Sequence, residues 1–291
     1  MIDLHMHTKY SDGTDSLKEI LQNCEKKKLS VISITDHNNC DAYFEMENLN
    51  ISDYFSGKII AGIELNTKAE DVPIEILGYN IDYKKMNELA KKTYLSTDKR
   101  NELEFERLVK KCYEYGIILD DDVIDKFDKN DFASVAIHKS ITNHEENKEK
   151  INERAWKSNI DFYREYMSNP STPLYVEMDD MVPDLDKAIN LVKDSGGLVF
   201  IPHIYEYRDN TPKVLEHILK NGRLDGIECY YTTYTEEQHE HILKLTKEKG
   251  LFISGGCDYH GKRKPLVQLG IGYGNLCIPA EIQKPWAKYI N

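Results

Sequence analysis

The sequence has no long apolar run, no closely spaced cysteine pair and no excess of basic residues. Without an apolar run to span a membrane, and without the segments of a secretion signal at its start, the protein is expected in the cytoplasm. The six cysteines form no C-x-x-C pair, which disfavours a zinc ribbon or a disulfide framework. Lys and Arg number 38 against 50 Asp and Glu, and the net charge of −12 disfavours binding to long nucleic acid.

The chain also lacks any Pro-, Gly- or Ser-rich linker, internal repeat or low-complexity segment. Its 291 residues are 40% hydrophobic, which is enough to bury a substantial core. We therefore expect a single contiguous domain. The sequence does not indicate an oligomeric state.

Histidines and acids are what the sequence does provide, and they occur together near both ends of the chain. Short clusters combine aspartate with some of the ten histidines: Asp3-Leu-His5-Met-His7, Asp36-His37, and Asp258-Tyr-His260. Imidazole and carboxylate groups together suit zinc, manganese or iron. The pattern predicts a site for two to three divalent ions, which would polarise a phosphoryl oxygen and activate a water molecule.

Short apolar runs alternate with helical patterns, which is typical of parallel strands joined by crossover helices. The predicted strands are residues 2–4, 31–35, 59–63, 74–79, 198–201, 224–229 and 251–254, and helices are predicted after residue 16, over 185–195 and over 236–249. Nearly every candidate ligand lies at or just after the carboxyl end of a strand, where barrel enzymes place their chemistry. The pattern predicts an α/β barrel with one site.

The H-x-H spacing is weak by itself, since chance would give roughly 0.3 such pairs in this composition. His239-Glu-His241 has the same spacing but lies in a predicted helix. Residues two apart on a helix point about 200° apart, whereas on a strand they face one side. We therefore expect His5 and His7 to converge, and His239, His241 and His217 to be structural or solvated.

Residues 84–167 are charged, contain tyrosines and are mostly helical in pattern. A helical stripe of Phe105, Leu108, Val109 and Cys112 is expected to pack against the barrel. This segment is predicted to be an insertion that caps the site, with ordinary barrel helices as the alternative. The barrel would then comprise residues 1–83 and 168–291.

The ordered motifs resemble those of the PHP (polymerase and histidinol phosphatase) family of metal-dependent phosphoesterases. The matching segments are Asp3 to His7, Ser11 to Thr14, Ile34 to His37, Gly62 to Glu64, His203, Gly226 to Glu228, and Gly255 to Gly261. The resemblance implies a distorted (β/α)7 TIM-like barrel with three ions. It implies one ion near His5, His7, Glu64 and Asp258, a second near Asp12, His37 and His260, and a third near Glu64, His203 and Glu75.

Glu75 departs from the family, which commonly has a histidine at this position. A glutamate can still bind an ion, but its charge favours manganese or iron over zinc. The alternative is a surface glutamate on a strand. Cys257 stands where the family often has serine, and we expect a small packed residue.

The family resemblance also bears on the substrate. Arginines that grip phosphate in nucleotide-hydrolysing relatives have no counterpart in register here. His138 is predicted as a catalytic or phosphate contact, with Arg208 as a further substrate contact, and Asp36 and His203 are expected to orient ligands and protons. Tyrosines 230–234 are candidates for the pocket lining.

The sequence thus predicts a hydrolase of small phosphomonoesters or short, nucleotide-like phosphodiesters that uses a metal-activated water. The expected substrate is a small phosphorylated molecule or a short oligonucleotide. Two alternatives are a histidinol-phosphate phosphatase and a PHP module that binds metal without catalysis. An amidohydrolase also begins with H-x-H on a barrel strand, but no strand-end lysine is placed to serve as a carboxylated bridge.

Overall fold

Eight strands form two sheets in the computed structural model, which describes residues 1–129, 131–177 and 180–290. The first sheet is parallel and contains, in order, β1 (Ile2–Asp3), β2 (Val31–Ile32) and β3 (Lys58–Ile59). The second sheet contains, in order, β4 (Gly62–Ala69), β5 (Val72–Tyr79), β6 (Leu198–Ile201), β7 (Gly226–Tyr231) and β8 (Phe252–Gly256). Strands β6, β7 and β8 are mutually parallel.

Two backbone contacts join the two sheets. The amide of Leu4 donates to the carbonyl of Gly255 at 3.1 Å, which joins the end of β1 to β8. An isolated parallel bridge pairs His37 with Glu64, and this joins the segment after β2 to β4. The carboxyl ends of strands from both sheets are thereby brought to one place.

Ten α-helices lie in the described ranges. They are α1 (Leu17–Lys26), α2 (Asp41–Met46), α3 (Tyr83–Thr93), α4 (Thr97–Glu114), α5 (Ala133–Thr142), α6 (Glu153–Lys157), α7 (Asn159–Phe162), α8 (Leu185–Asp194), α9 (Thr211–Asn221) and α10 (Glu236–Glu248). A π-helix spans Tyr163–Met167, and the longest 3-10 helix spans Ile204–Asn210. None of the helices in the described ranges is long and apolar enough to cross a membrane.

The first crossover helix begins and packs as its sequence predicts. Ser16 caps α1 and exchanges hydrogen bonds with Glu19 in a capping box, which satisfies amide groups that a helix start leaves without partners. The face at helical spacing is buried: Leu17, Ile20, Leu21 and Cys24. A predicted helix end is also confirmed, because Gly196 has φ of +76° just after α8.

One predicted strand was wrong in its boundaries and in the direction of its pairing. Residues 59–63 do not form one strand: β3 ends at Ile59, and β4 begins at Gly62 and continues to Ala69. Only Glu70 and Asp71 connect β4 to β5, which is too short for a parallel crossover, so the two strands form an antiparallel hairpin. In this hairpin Asn66 pairs with Glu75, and Glu64 lies two residues away on the same face.

The predicted packing of the α4 stripe was also wrong. Phe105, Leu108, Val109 and Cys112 belong to a second hydrophobic cluster, separate from the main core, whose buried members run from Phe105 to Val182. Within it the rings of Phe105 and Phe127 stack at 3.9 Å. The stripe faces helices of its own segment because that segment is large enough to bury a core of its own.

Candidate metal centre

His5 and His7 lie just beyond β1, in an extended segment where alternate side chains face one side. Both side chains are fully buried, and their ring centres are 5.3 Å apart. The backbone on either side of Met6 is fixed, because the Met6 amide donates to Thr35 and the His7 amide donates to Tyr259. The segment therefore presents two adjacent imidazoles to the same space.

Three groups of side chains around this space place potential ligand atoms within 4.8 Å of one another. The groups are His5, His7, Glu64 and Asp258; His7, Asp12, His37 and His260; and Glu64, Glu75 and His203. All nine predicted metal ligands occur in them. Glu64 belongs to two of the groups.

In the first group, Glu64 and Asp258 face the two N-terminal histidines. Nε2 of His7 lies 3.2 Å from Oε2 of Glu64 and 3.2 Å from Oδ1 of Asp258. Nε2 of His5 is 3.1 Å from Oε2 of Glu64 and 3.5 Å from Oδ1 of Asp258. Two carboxylates and two imidazoles thus surround one point, a donor set that divalent transition metals accept.

The second group is centred on Asp12. Its Oδ2 lies 3.1 Å from Nε2 of His260 and 3.7 Å from Nε2 of His37. Nδ1 of His7 is also close, at 3.4 Å from Oδ1 of Asp12. Nε2 of His7 already faces the first group, so Asp12, His37 and His260 are the members that belong to the second group alone, and Nδ1 of His7 makes an electrostatic contact with Asp12.

The third group has the widest spacing. Nε2 of His203 is 3.0 Å from Oε1 of Glu64 and 4.0 Å from Oε2 of Glu75. Tyr207 fixes Glu75 at both ends: its hydroxyl accepts from the Glu75 amide at 2.9 Å and donates to Oε2 at 3.1 Å. Glu75 therefore faces the site, and the surface location considered as an alternative is excluded.

Two features of the protein atoms fit bound cations. Among the described residues, the buried Nε2 of His7 and Oδ1 of Asp258 have no hydrogen-bond partner, although a buried polar atom without a partner is costly. The backbone at His203 and Asp258 has φ of 28° and 57°, a region that residues other than glycine seldom adopt and that is typical of functional sites. An ion would give both orphaned atoms a partner.

Neighbouring carboxylates raise the pKa values of two histidines in the cluster. Burial opposes the charging of His7, but Asp12, Asp258 and Glu64 prevail and raise its pKa to about 10. Burial is likewise outweighed at His5, whose pKa is raised by Glu64, Glu228 and Asp258. The pKa of Glu64 is held well below its usual range because, despite burial, His5 and His37 stabilise the carboxylate. The carboxylates and the imidazoles of His5 and His7 thus stabilise each other's charged forms.

Glu228 orients two of the candidate ligands, His5 and His203. Its Oε1 lies 3.0 Å from Nδ1 of His5, and its Oε2 accepts from the amide of His203 at 2.9 Å. A carboxylate on the far nitrogen of a histidine fixes the tautomer and orientation of a metal-binding ring. The sequence motif around Glu228 was recognised, but this role was not predicted.

Asp36 positions the loop that carries two candidate ligands. Its Oδ1 accepts from the Thr8 amide at 2.7 Å and from the Ser11 hydroxyl at 2.6 Å, and its Oδ2 accepts from the Thr8 hydroxyl. The loop from His7 to Asp12 is therefore held by one buried carboxylate. In the structure Asp36 orients this loop and is in none of the three groups, and its predicted part in moving protons stays a prediction.

Two neighbours of Asp258 were not predicted as site residues by name. The hydroxyl of Tyr231 donates to Oδ2 of Asp258 at 2.8 Å, and Nζ of Lys264 lies 2.5 Å from the same oxygen. Tyr231 falls within the tyrosines proposed to line the pocket. Lys264 follows the Asp258-Tyr-His260 motif by only four residues, but nothing in its spacing signals that the chain turns back to the site.

The two predicted substrate contacts are engaged elsewhere. Nε2 of His138 is 2.9 Å from the carbonyl oxygen of Ala155, within the helical segment and away from the three groups. Arg208 pairs with Asp161 and, at 2.8 Å, with Glu165. Their roles as substrate contacts stay predictions, and both side chains would have to exchange these partners first.

The remaining histidines and Cys257 lie where the sequence predicts. His239 and His241 are on α10, and His217 is on α9 with its Nδ1 3.6 Å from Oε1 of Glu70. None of the three is in a metal group. Cys257 is buried, and its thiol donates to Oδ2 of Asp3 at 2.8 Å. Burial raises the pKa of this thiol well above its usual value, so it is a packing residue rather than a nucleophile.

The family is established by comparison with known proteins. The model of the PHP domain family matches residues 3–178, more than half of the chain. The chain therefore belongs to the PHP domain family, and the family predicted from the ordered motifs is confirmed.

Curated relatives cover nearly the whole chain at low identity. The phosphoribosyl 1,2-cyclic phosphate 1,2-diphosphodiesterase of Eggerthella lenta is 22% identical, over 89% of this chain and 94% of its own length. The 5'-3' exoribonuclease Rnm of Escherichia coli is 22% identical, over 98% of this chain and 92% of its own length.

Two solved structures have the same fold. A candidate metal-dependent phosphoesterase from Bifidobacterium adolescentis has a TM-score of 0.66 and 22% identity, covering 98% of this chain and 94% of that one. An amidohydrolase from Chromobacterium violaceum, solved with sulfate and without metal, has a TM-score of 0.65 and 20% identity, covering 92% and 89%. These likenesses show an α/β fold of the PHP type.

Proposed function

We propose that the protein is a metal-dependent phosphoesterase that hydrolyses small phosphomonoesters or short, nucleotide-like phosphodiesters. The observation that carries the proposal is the convergence of nine histidine and carboxylate side chains into three groups, two of which share Glu64. A shared carboxylate can bridge two cations and offset their repulsion. This is the arrangement that a multinuclear phosphoesterase needs.

The first two groups have complete donor sets, and the third has only Glu64, Glu75 and His203. We therefore propose two to three divalent ions, with manganese or iron preferred over zinc at the third group because of its two carboxylates. When bound, such ions polarise a phosphoryl oxygen, lower the pKa of water and stabilise the leaving oxygen.

The protein's own residues contribute orientation and protons. Glu228 holds the ring of His5 and the backbone of His203, and Asp36 holds the loop from His7 to Asp12. His203 lies at the rim of the third group with Nε2 directed at Glu64. In this position it can bind an ion or transfer a proton to the leaving oxygen, as expected from the sequence.

Relatives support the substrate class. Those of 22% identity are named for action on a phosphoribosyl cyclic phosphate and on RNA, and both names denote cleavage of a phosphodiester. A small phosphorylated molecule or a short oligonucleotide is consistent with these names and with the net charge of −12, which disfavours long nucleic acid. We also propose a cytoplasmic location, because all six cysteines are free thiols, as is usual in a reducing compartment.

We further propose that the two sheets are the halves of a distorted (β/α)7 barrel, with the helical segment 84–167 as a cap. The hydrogen bond from Leu4 to Gly255 and the bridge from His37 to Glu64 support the closure. Pairs between Arg208 and the acids of the helical segment support the cap, since they join it to the rim of the site.

One experiment tests the function. The purified protein is stripped of metal, reloaded separately with manganese, iron and zinc, and assayed against nucleoside monophosphates, short oligonucleotides, histidinol phosphate and an amide substrate. We expect metal-dependent release of phosphate or nucleotides. Release from histidinol phosphate alone would identify a histidinol-phosphate phosphatase, and bound metal without any hydrolysis would identify a non-catalytic module.

A further inference from the structure

Arg164 is a partly buried cation whose guanidinium forms no hydrogen bond or ion pair within the described ranges. It lies in the π-helix Tyr163–Met167, and its guanidinium carbon is 5.3 Å from the ring centre of Tyr163 and 5.6 Å from that of Tyr207. The carboxylates of Glu75 and Glu206 act on its charge from beyond ion-pair distance, so they leave its guanidinium donors unoccupied. Tyrosine rings hold the plane of a guanidinium while leaving its N–H groups free to bind a ligand.

Tyr207 connects Arg164 to the candidate metal centre. The hydroxyl of this tyrosine donates to Oε2 of Glu75, and its ring is 5.9 Å from the ring of His203. Both Glu75 and His203 belong to the third group. Arg164 therefore lies over the residue that contacts this group, on the side from which the helical segment approaches.

The segment that carries Arg164 is held in place on both sides. Arg208 pairs with Asp161 and Glu165, which flank Arg164, and does so from a backbone with φ of 51° and ψ of −120°. This conformation is strained for an arginine, and the π-helix is a further irregularity of a kind frequent at functional sites. Two unusual backbone conformations therefore fix the position of one unpaired cation.

We propose that Arg164 binds phosphate oxygens of the substrate beside the third group and so determines specificity for phosphorylated ligands; this inference rests on the proposed function. An arginine presents a planar fork of donors that matches two phosphate oxygens. Its charge also offsets the negative charge that Glu75 adds where relatives commonly have histidine.

Other arginines near the site do not fit this role. Arg208 and Arg154 are both engaged by Asp161 and Glu165. Arg100 donates to Asn66 at 2.9 Å and pairs with Glu104. Arg164 is the one of these four whose donors remain available to a ligand in the described structure.

The test compares Arg164→Gln and Arg164→Lys with wild type, all reloaded with manganese. Steady-state kinetics are measured on a nucleoside 5'-monophosphate, which has one phosphate, and on a 5'-phosphorylated dinucleotide, which has two. Binding of radiolabelled inorganic phosphate is measured by equilibrium dialysis, and bound manganese is quantified. We expect Arg164→Gln to lower kcat/KM roughly 10- to 100-fold and to weaken phosphate binding, with unchanged manganese content. Arg164→Lys should show a smaller loss because it keeps the charge and loses the fork.

Arg154→Gln is the matched control. Arg154 lies in the same helical segment, but it pairs with Asp161 and Glu165 and its side chain is 64% exposed. Equal losses on both substrates would assign Arg164 to the scissile phosphate, and a loss confined to the dinucleotide would assign it to the neighbouring phosphate. Unchanged kinetics and unchanged phosphate binding in Arg164→Gln, with an active wild type, would overturn the inference alone. A wild type that hydrolyses nothing would overturn the proposed function, and phosphate dialysis would still test Arg164.

Discussion

Oε1 of Glu228 lies 3.0 Å from Nδ1 of His5, and both side chains are completely buried. The contact leaves Nε2 of His5 directed at Glu64. Glu228, on β7, therefore determines which ring nitrogen of His5 reaches the candidate metal centre. Such a partner acts through the ring that it holds, without touching substrate or ion.

Replacing Glu228 with glutamine is therefore expected to weaken metal binding. The amide keeps the size of the side chain but loses the charge that makes the ring a stronger donor, and we expect affinity for manganese to fall roughly 10- to 100-fold. Isothermal titration calorimetry on the metal-free protein measures this. Glu216→Gln, a change at an exposed position of α9, is the control. Equal affinities for the two variants would remove Glu228 from the site.

Asp12 and His260 should each be needed for the ion of the second group only. We expect Asp12→Ala or His260→Ala to lose one equivalent of metal and to keep the ion of the first group, because neither side chain belongs to that group. Elemental analysis after dialysis gives the stoichiometry. His239→Ala removes a histidine from α10 and should bind as much metal as wild type. Full metal content in both site variants would contradict the assignment.

Glu75 should set the metal preference of the third group. Glu75→His introduces the residue that the family resemblance leads us to expect at this position, and we expect it to increase zinc binding relative to manganese, since imidazole is the softer donor. Glu75→Ala should lose the third ion. Competition dialysis with equal zinc and manganese measures both effects. If Glu75→Ala keeps the wild-type stoichiometry, Glu75 is not a ligand.

Metal binding should release protons. The pKa of His7 in the metal-free protein is raised from its usual 6.5 to about 10, and that of His5 is raised too, so both rings carry protons near neutral pH. An ion needs unprotonated ring nitrogens, and the apparent affinity should therefore rise with pH from about 7 to about 10. Calorimetry in two buffers of different ionisation enthalpy measures the protons released. Identical enthalpies in both buffers would show that no proton leaves.

Arg208 should keep the helical segment against the site. In Arg208→Gln, Arg154 is the only cation still paired with Asp161 and Glu165 in the described structure. We therefore expect faster hydrogen exchange of the amides in residues 159–167. Exchange in β4 and β5 should not change. Arg223→Gln, which removes a surface contact with Asp186, is the control. Unchanged exchange in residues 159–167 would argue against Arg208 as the link between cap and barrel.

The sequence predicted best those features that follow from local periodicity. Strand ends place His5, His7 and Asp258 correctly, because alternation along a strand and the position of its end are local properties. The helix that excludes His239 and His241 is equally local.

Features that depend on distant packing were not predictable. The reversal at Glu70 and Asp71 turns a predicted parallel strand into a hairpin, and apolar runs do not reveal the direction of pairing. Arg164 and Lys264 reach the site through irregular segments, a π-helix and a loop after a 3-10 turn, whose course has no repeating pattern. The contact of Arg164 with Tyr207 exists only once the helical segment is packed against the rest of the protein.

Glu64 has one further consequence, since its two oxygens serve different groups: Oε2 faces His5 and His7, and Oε1 faces His203. An ion bound at the first group would fix the rotamer of the Glu64 carboxylate and so orient Oε1 toward the third group. Loss of the ion from either group would let the carboxylate rotate and would weaken binding at the other group. We expect occupancy to change cooperatively over a narrow range of free metal concentration. The fraction of protein that carries metal would then change steeply at one free metal concentration in the cell, instead of in proportion to the supply.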